Sequence, residues 1–221
     1  MTQRSPILSA ILAGFLLATC SWSALQAETA RYITVPAVAV SNTGGKQTGN
    51  VYYIVLQLER DPQGRGPTIL FSEAGAGSVV DDVWKNGART AMTAASHLVG
   101  EDARNWTLTI KNRSRYSQSG GPSASSAVAV GIAAAWRGDS LRSDLVLTGV
   151  IDTDGTIDFV GHLPAKLEGA ATAKMHALLV PKGEARTSEW DLFDLGQKSG
   201  INVVEVETLR EAYEFMTGIR P

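Results

Sequence analysis

Apolar and polar positions alternate along several stretches of the chain, and this period of two predicts β-strands. The clearest stretches are rich in β-branched and aromatic residues and lie between turn residues: 31–40, 50–60, 67–74 and 105–112. Two more apolar runs, 176–183 and 201–208, predict strands near the C-terminus. The Gly- and Asn-containing residues 41–49 predict a loop between the first two strands.

Apolar residues spaced three or four apart predict helices between these strands. They occur in 77–100, 123–136, 163–175 and 209–219. Residues 142–161 predict two short strands joined at Asp154-Gly155, because Asp-Gly favours a hairpin turn. Without a sustained βαβ rhythm, this order predicts a single α+β domain with a mixed sheet.

The first 27 residues have a different character. Arg4 precedes an apolar run from about Ile7 to Ala18, and small residues then lead to Ala27. This layout is typical of a secretory signal peptide, so we predict cleavage after Ala27 and a periplasmic or secreted domain at 28–221. An uncleaved anchor, or a lipoprotein attached through Cys20, are the alternatives.

Composition narrows the classes of function. The chain has 221 residues, 44% of them hydrophobic, and a net charge of −2, so we expect no nucleic-acid partner. No later apolar run has the length of a membrane span, so we expect no membrane contact in the mature form. Cys20 is the only cysteine, which excludes a disulfide and a cysteine nucleophile in the mature chain.

Common metal and cofactor motifs are missing from the sequence. His97, His162 and His176 have no metal-binding spacing, and residues 41–50 lack the pattern of a phosphate-binding loop. We therefore expect no metal site and no cofactor.

Serine remains as a nucleophile. In GGPSAS, Ser123 follows a Gly-Gly-Pro turn at the predicted start of a helix. Backbone N–H groups at such a start can stabilise an oxyanion. An ordinary helix N-cap is the alternative, because serine is favoured there.

A serine nucleophile also requires a base, and Lys166 is a candidate because it opens an Ala-rich helix. Lysine serves as a base only where burial lowers its pKa from about 10.4. The alternative is an exposed helix lysine.

Five motifs resemble the proteolytic domain of the Lon protease family: GPSAS (121–125), RSDLVLTG (142–149), the hairpin at 150–161, LPAKLEGAA (163–171) and ALLVPKGE (177–184). The resemblance implies that Ser123 is the nucleophile of a Ser-Lys dyad and Lys166 its base. Thr148 matches a threonine that helps position the lysine. Glu59 would match an acidic residue near the site, and a solvated strand-end glutamate is the alternative.

The chain departs from the family pattern at several positions. Ser125 replaces the last glycine of the serine motif, and Val150 replaces an acidic residue. His162 replaces the second glycine of a Gly-Gly pair, and Gly120 stands where an acidic residue precedes G-P-S. We expect these changes to affect substrate preference and assembly.

The resemblance implies an α+β, Lon-type proteolytic domain, similar to the ribosomal protein S5 domain 2-like fold. It also implies a serine endopeptidase acting on exposed or unfolded polypeptide, with an oxyanion hole around Pro122 and Ala124. Since the chain shows no ATPase motif, we expect activity without ATP. A hexameric ring is implied, and a monomer stays open. The alternative functions are a non-catalytic binding module and a self-processing protease with one dedicated substrate.

Overall fold

A long antiparallel hairpin forms the centre of the fold in this computed structural model, which describes residues 30–73, 79–114 and 118–221. Its strands are β1 (Arg31–Thr43) and β2 (Lys46–Arg60), paired along their full length from Arg31–Leu58 to Thr43–Lys46. Gly44 and Gly45 connect them with φ values of 60° and 82°, a region that glycine adopts without strain. The loop predicted at 41–49 is therefore wrong, because β1 and β2 stay paired through these polar residues as far as Thr43 and Lys46.

The other strands are short. They are β3 (Thr68–Phe71), β4 (Val79–Val80), β5 (Trp106–Arg113), β6 (Gln118–Ser119), β7 (Leu145–Leu147), β8 (Val150–Ile151), β9 (Ile157–Asp158), β10 (Ala177–Pro181) and β11 (Asn202–Val206). Seven strands form one mixed sheet in the order β11-β10-β7-β1-β2-β5-β3, while β4-β6 and β8-β9 are separate pairs. The predicted Asp154-Gly155 hairpin joins β8 to β9, whereas Leu145–Leu147 belongs to the large sheet.

Helices cover the two faces of the sheet. They are α1 (Asp82–Val99), α2 (Ser125–Arg137), α3 (Leu163–Thr172), α4 (Leu192–Ser199) and α5 (Leu209–Thr217). Apolar side chains of α1, α2 and α5 form the larger core cluster with one face, and those of α3 and α4 form the second cluster with the other. The mixed α+β architecture predicted from the sequence is confirmed.

Helix α2 is enclosed by other elements, with residues Ser125 to Ala135 all buried. Small side chains make this possible, since a Cβ at Gly131 would overlap the side chains of Val35 and Leu56. The predicted start at Ser123 is corrected, because α2 begins at Ser125 and Ser123 lies in the preceding turn.

The sequence analysis missed α4, and with it a local βαβ rhythm. Strand β10 lies between β7 and β11 and is parallel to both; along the chain, α3 precedes β10 and α4 connects β10 to β11. Parallel neighbours need a crossover, which α4 supplies. Asp191 accepts hydrogen bonds from the N–H groups of Phe193 and Asp194 to cap this helix, and Gly200 ends it at φ 71°.

Helix α3 packs directly on the backbone of the central hairpin. A Cβ at Gly49 would overlap the carbonyl oxygen of Ala165, and a Cβ at Gly169 would overlap the backbone of Gly49. The two glycines therefore allow β2 and α3 to approach more closely than side chains would permit, which fixes the height of α3 above the sheet.

We expect Gly49→Ala to lower the free energy of unfolding by about 2–3 kcal/mol, because the added methyl forces β2 and α3 apart. Urea unfolding measures this change. Gly161→Ala is the control, since a Cβ there meets no atom within 4 Å and φ is not positive. Equal stability of Gly49→Ala and wild type would contradict the close contact.

Candidate active site

A cavity of about 480 Å³ lies where the turn end of the central hairpin meets the loop before α2 and the start of α3. Its lining includes Ser123 and Lys166, together with Tyr52, Pro122 and His162. A second cavity of about 490 Å³ is lined by Arg31, Tyr32 and Asp139 among others, and contains neither Ser123 nor Lys166. The first is therefore the candidate active site.

A sharp turn presents Ser123 to this cavity. Gly121 has a φ of 81°, and Pro122 follows before α2 begins. The carbonyl oxygen of Ser123 accepts two hydrogen bonds, from the N–H of Gly149 at 2.9 Å and from the hydroxyl of Thr148 at 3.2 Å. The backbone of the serine is thereby tied to the segment after β7.

The first backbone donors of α2 itself are already occupied. The N–H of Ser125 donates to Pro122 at 2.9 Å, and the N–H of Ser126 donates to Gly149 at 3.2 Å. Within the part of the chain that the structure describes, no acceptor is assigned to the N–H groups of Ser123 and Ala124. The donors left for a ligand thus lie just before the helix, between Pro122 and Ser125.

Lys166 lies in the first turn of α3 and is buried, with 4% of the residue exposed. Its Nζ donates a hydrogen bond to Thr148 Oγ1 at 2.9 Å. Burial lowers the pKa of Lys166 to about 8, because a desolvated ammonium is unfavourable, and the negative charge of Glu184 opposes this shift. A substantial fraction of Lys166 is neutral near pH 8.

Thr148 connects the other two residues. Its buried hydroxyl accepts from Lys166 Nζ and donates to the carbonyl oxygen of Ser123, which uses one donor and one acceptor function of the group. The structure therefore brings Ser123, Thr148 and Lys166 together, although they are far apart in the sequence.

The structure does not bring Glu59 to this cavity. Glu59 lies opposite Thr107 and accepts a hydrogen bond from the Gln57 amide. Along β2 it is seven residues from Tyr52, which corresponds to about 23 Å. The acidic group that acts on Lys166 is Glu184, which also accepts a hydrogen bond from the N–H of Val160 at 3.2 Å.

Sequence reasoning missed Tyr52 as a cavity residue, whereas His162 was among the departures from the family pattern that we expected to affect substrate preference. Burial raises the pKa of Tyr52 to about 12, so its phenol stays protonated. His162 has a φ of 62°, and among the described residues only Lys174 shares this feature outside glycine. Its Nδ1 lies 3.1 Å from Gln47 Oε1, which links α3 to the hairpin at the cavity rim.

No group of three or more His, Cys, Asp or Glu side chains suited to a metal occurs within residues 30–73, 79–114 and 118–221. The chemistry that the arrangement offers is that of a hydroxyl, a partly neutral amine and free backbone N–H groups.

The pKa of Lys166 has a consequence for stability. The ordinary value of 10.5 falls to about 8 in the folded chain, so the unfolded chain binds the proton more tightly. Folding is therefore penalised below pH 8, and the penalty disappears as the pH rises to about 10.5. Such a shift corresponds to about 3 kcal/mol.

We expect Lys166→Met to raise the free energy of unfolding at pH 7 by about 1–3 kcal/mol, with a gain that declines between pH 8 and 10.5. Urea unfolding at pH values from 6 to 10 tests this. Lys198→Met is the control, since Lys198 is exposed beside Asp194. A less stable Lys166→Met at pH 7 would show that the buried amine carries no penalty.

Comparison with known proteins places the chain in a family. A family model described as the Lon protease (S16) C-terminal proteolytic domain matches residues 79–216, more than half of the chain. An archaeal Lon protease of Methanocaldococcus jannaschii is 26% identical over 184 residues, covering 79% of this chain and 26% of that protein. An archaeal Lon protease of Pyrococcus abyssi is 27% identical over 132 residues, covering 58% and 13%.

Lon protease 1 of Sorangium cellulosum is 36% identical over 94 residues, covering 42% of this chain and 11% of that protein. The chain thus matches about a quarter or less of the length of these relatives. The family model and the relatives agree with the resemblance inferred from the motifs, and the chain belongs to the family of Lon protease proteolytic domains.

Proposed function

We propose that the chain is a serine endopeptidase in which Ser123 is the nucleophile and Lys166 the general base. The state of Lys166 carries the proposal. Its amine is buried, its pKa is lowered to about 8, and it lines the same cavity as Ser123. Buried lysines with such a pKa are suited to proton transfer near neutral pH.

In each half of the reaction, Lys166 takes up one proton and passes it on. Neutral Lys166 takes the hydroxyl proton as Ser123 Oγ attacks the scissile carbonyl carbon. The tetrahedral intermediate collapses to an acyl-enzyme, and the leaving amine takes the proton from Lys166. A water molecule then loses a proton to Lys166 and attacks the ester, and the returning proton restores the Ser123 hydroxyl.

Two further features support this chemistry. The unoccupied N–H groups of Ser123 and Ala124, next to Pro122, are suited to bind the oxyanion; one such donor is worth about 3–4 kcal/mol in the transition state. Thr148 holds the Lys166 amine and the Ser123 backbone at once, which limits their relative movement. Preorganisation of this kind lowers the barrier to the attack.

The proposed substrate is exposed or unfolded polypeptide, cleaved without ATP. The relatives are named as Lon proteases, and residues 1–221 contain no phosphate-binding loop motif. A substrate must then reach the cavity as an extended segment.

We further propose a periplasmic or secreted location, supported by the signal-peptide pattern of residues 1–27, which lie outside the described residues. In the part of the chain that is described, none of the helices has the length and apolar character needed to cross a bilayer. Assembly into a ring stays an expectation from the resemblance.

Cleavage of casein without ATP tests the proposed function. We expect the wild-type chain to produce peptides, and Ser123→Ala and Lys166→Ala to lower the rate at least 1,000-fold, because each removes a partner of the proton transfer. Mass spectrometry of the products measures the cleavage.

Intact masses of the three purified proteins provide the control. A defined internal cut in wild type alone would indicate a self-processing protease. A folded wild type that cuts neither casein nor itself would contradict the endopeptidase and favour a binding module.

We expect kcat/KM to rise with pH through a midpoint near 8, as Lys166 becomes neutral. Glu184→Gln should move this midpoint to lower pH, because it removes a negative charge that favours the ammonium. The amide oxygen can still accept the hydrogen bond from Val160. Rates measured from pH 5 to 10 give the profile.

Glu207→Gln is the matched control, because Glu207 pairs with Lys182 on the surface. Its midpoint should equal that of wild type. A shift to higher pH in Glu184→Gln would contradict the assignment of Lys166 as the base.

A further inference from the structure

The turn before Ser123 is held from outside by a helix that precedes it in the sequence. Asp81 is the N-cap residue of α1, and its Oδ1 accepts a hydrogen bond from the N–H of Trp84 at 2.7 Å. Its Oδ2 accepts one from the N–H of Gly121 at 3.3 Å, and its own N–H donates to the carbonyl oxygen of Ser119 at 3.2 Å. One residue thus caps α1 and binds the turn on both sides of Gly120.

The space around Gly120 is shaped for this carboxylate. A Cβ at Gly120 would overlap Asp81 Oδ2, so the glycine leaves room for the side chain of Asp81. Six residues after Asp81 along the chain, in α1, a Cβ at Gly87 would lie 3.2 Å from Ser125 Cβ and 3.5 Å from Pro122 Cα. The first half of α1 therefore backs the whole segment from Gly120 to Ser125.

Capping alone does not account for this arrangement. At α4, Asp191 also uses both carboxylate oxygens: Oδ1 caps the helix, and Oδ2 accepts a hydrogen bond from Arg186 Nε at 2.8 Å. None of these partners lines the cavity, whereas Gly121 does. At α5, Thr208 caps with one hydroxyl. The second oxygen of Asp81 accepts a hydrogen bond from the N–H of Gly121, which is 40 positions away in the sequence and directly precedes Pro122 and Ser123.

We propose that Asp81 is a positioning residue for Ser123: it fixes the Gly120-Gly121 turn and thereby the nucleophile and the adjacent N–H donors. The inference rests on the proposed function, in which Ser123 attacks the substrate. A nucleophile displaced by about 1 Å can lose on the order of 100-fold in rate. The effect falls on the reaction step, since Asp81 lies behind the turn and not among the residues that line the cavity.

Asp81→Ser separates the two tasks of the side chain. Serine is a favoured N-cap, so the bond to Trp84 is kept, but one short hydroxyl cannot also serve Gly121. Asp81→Asn keeps the volume beside Gly120 and has one oxygen for two N–H donors. We expect kcat to fall about 10- to 100-fold in both, with KM and the pH midpoint unchanged, because Lys166 and its contacts are not altered.

Asp191→Ser is the matched control, because it makes the same change at an N-cap whose contacts are outside the cavity. Its kcat should equal that of wild type, even if its melting temperature falls. A kcat within twofold of wild type in both Asp81 variants would overturn the proposal.

Amide hydrogen exchange decides the case without relying on activity. In both Asp81 variants we expect faster exchange of the Gly121 N–H, with α1 unchanged in Asp81→Ser. A wild-type protein that cleaves no substrate would refute the endopeptidase. Exchange at the Gly121 N–H that is unchanged in the Asp81 variants would overturn the role of Asp81, whatever the activity. Faster exchange together with an unchanged kcat would also overturn it, because the turn would then be loosened without effect on Ser123.

Discussion

An amine enclosed in a protein must lose its proton or find an opposite charge, because desolvation of an ammonium is unfavourable. Lys166 takes the first course only in part, because burial lowers its pKa to about 8 and the amine becomes neutral only above that pH. Its closest polar partner is the neutral hydroxyl of Thr148, and Glu184 offsets only part of the effect of burial on its pKa. The resulting penalty, about 3 kcal/mol near neutral pH, must be met by packing elsewhere.

The layered fold supplies that packing. Apolar helices on both faces of a seven-stranded sheet bury the segments that carry the site, and each site residue is attached to a different layer. Ser123 precedes the enclosed helix α2, Thr148 follows a strand of the sheet, and Lys166 comes from α3 on the other face. The cavity forms where these layers meet, so its geometry depends on the packing of all three.

Local patterns predicted most elements, because strand and helix periods are visible over a few residues. Helix α4 was missed because only Leu192 and Gly196 of its eight residues are buried, which leaves a weak apolar pattern. The loop at 41–49 was predicted from polar composition, although a hairpin ladder needs only backbone groups.

For the site, the order of motifs indicated Ser123, Thr148 and Lys166, and the structure brings these three together. Glu59 was placed by position along a strand, and the structure puts it seven residues along β2 from the cavity residue Tyr52, which corresponds to about 23 Å. Glu184 and Asp81 reach the site from other elements, and the sequence gives no sign of such contacts. The dyad roles themselves stay a prediction.

The contact between Gly49 and Gly169 has a consequence for how mutations in this protein are interpreted. Because the two backbones touch there, the position of α3, and with it that of Lys166, depends on the absence of side chains at these two residues. In a saturation library scored for activity, these glycines would resemble members of the catalytic machinery, although neither carries a functional group. Scoring abundance in parallel would separate them from Ser123, whose loss should leave the amount of folded protein unchanged.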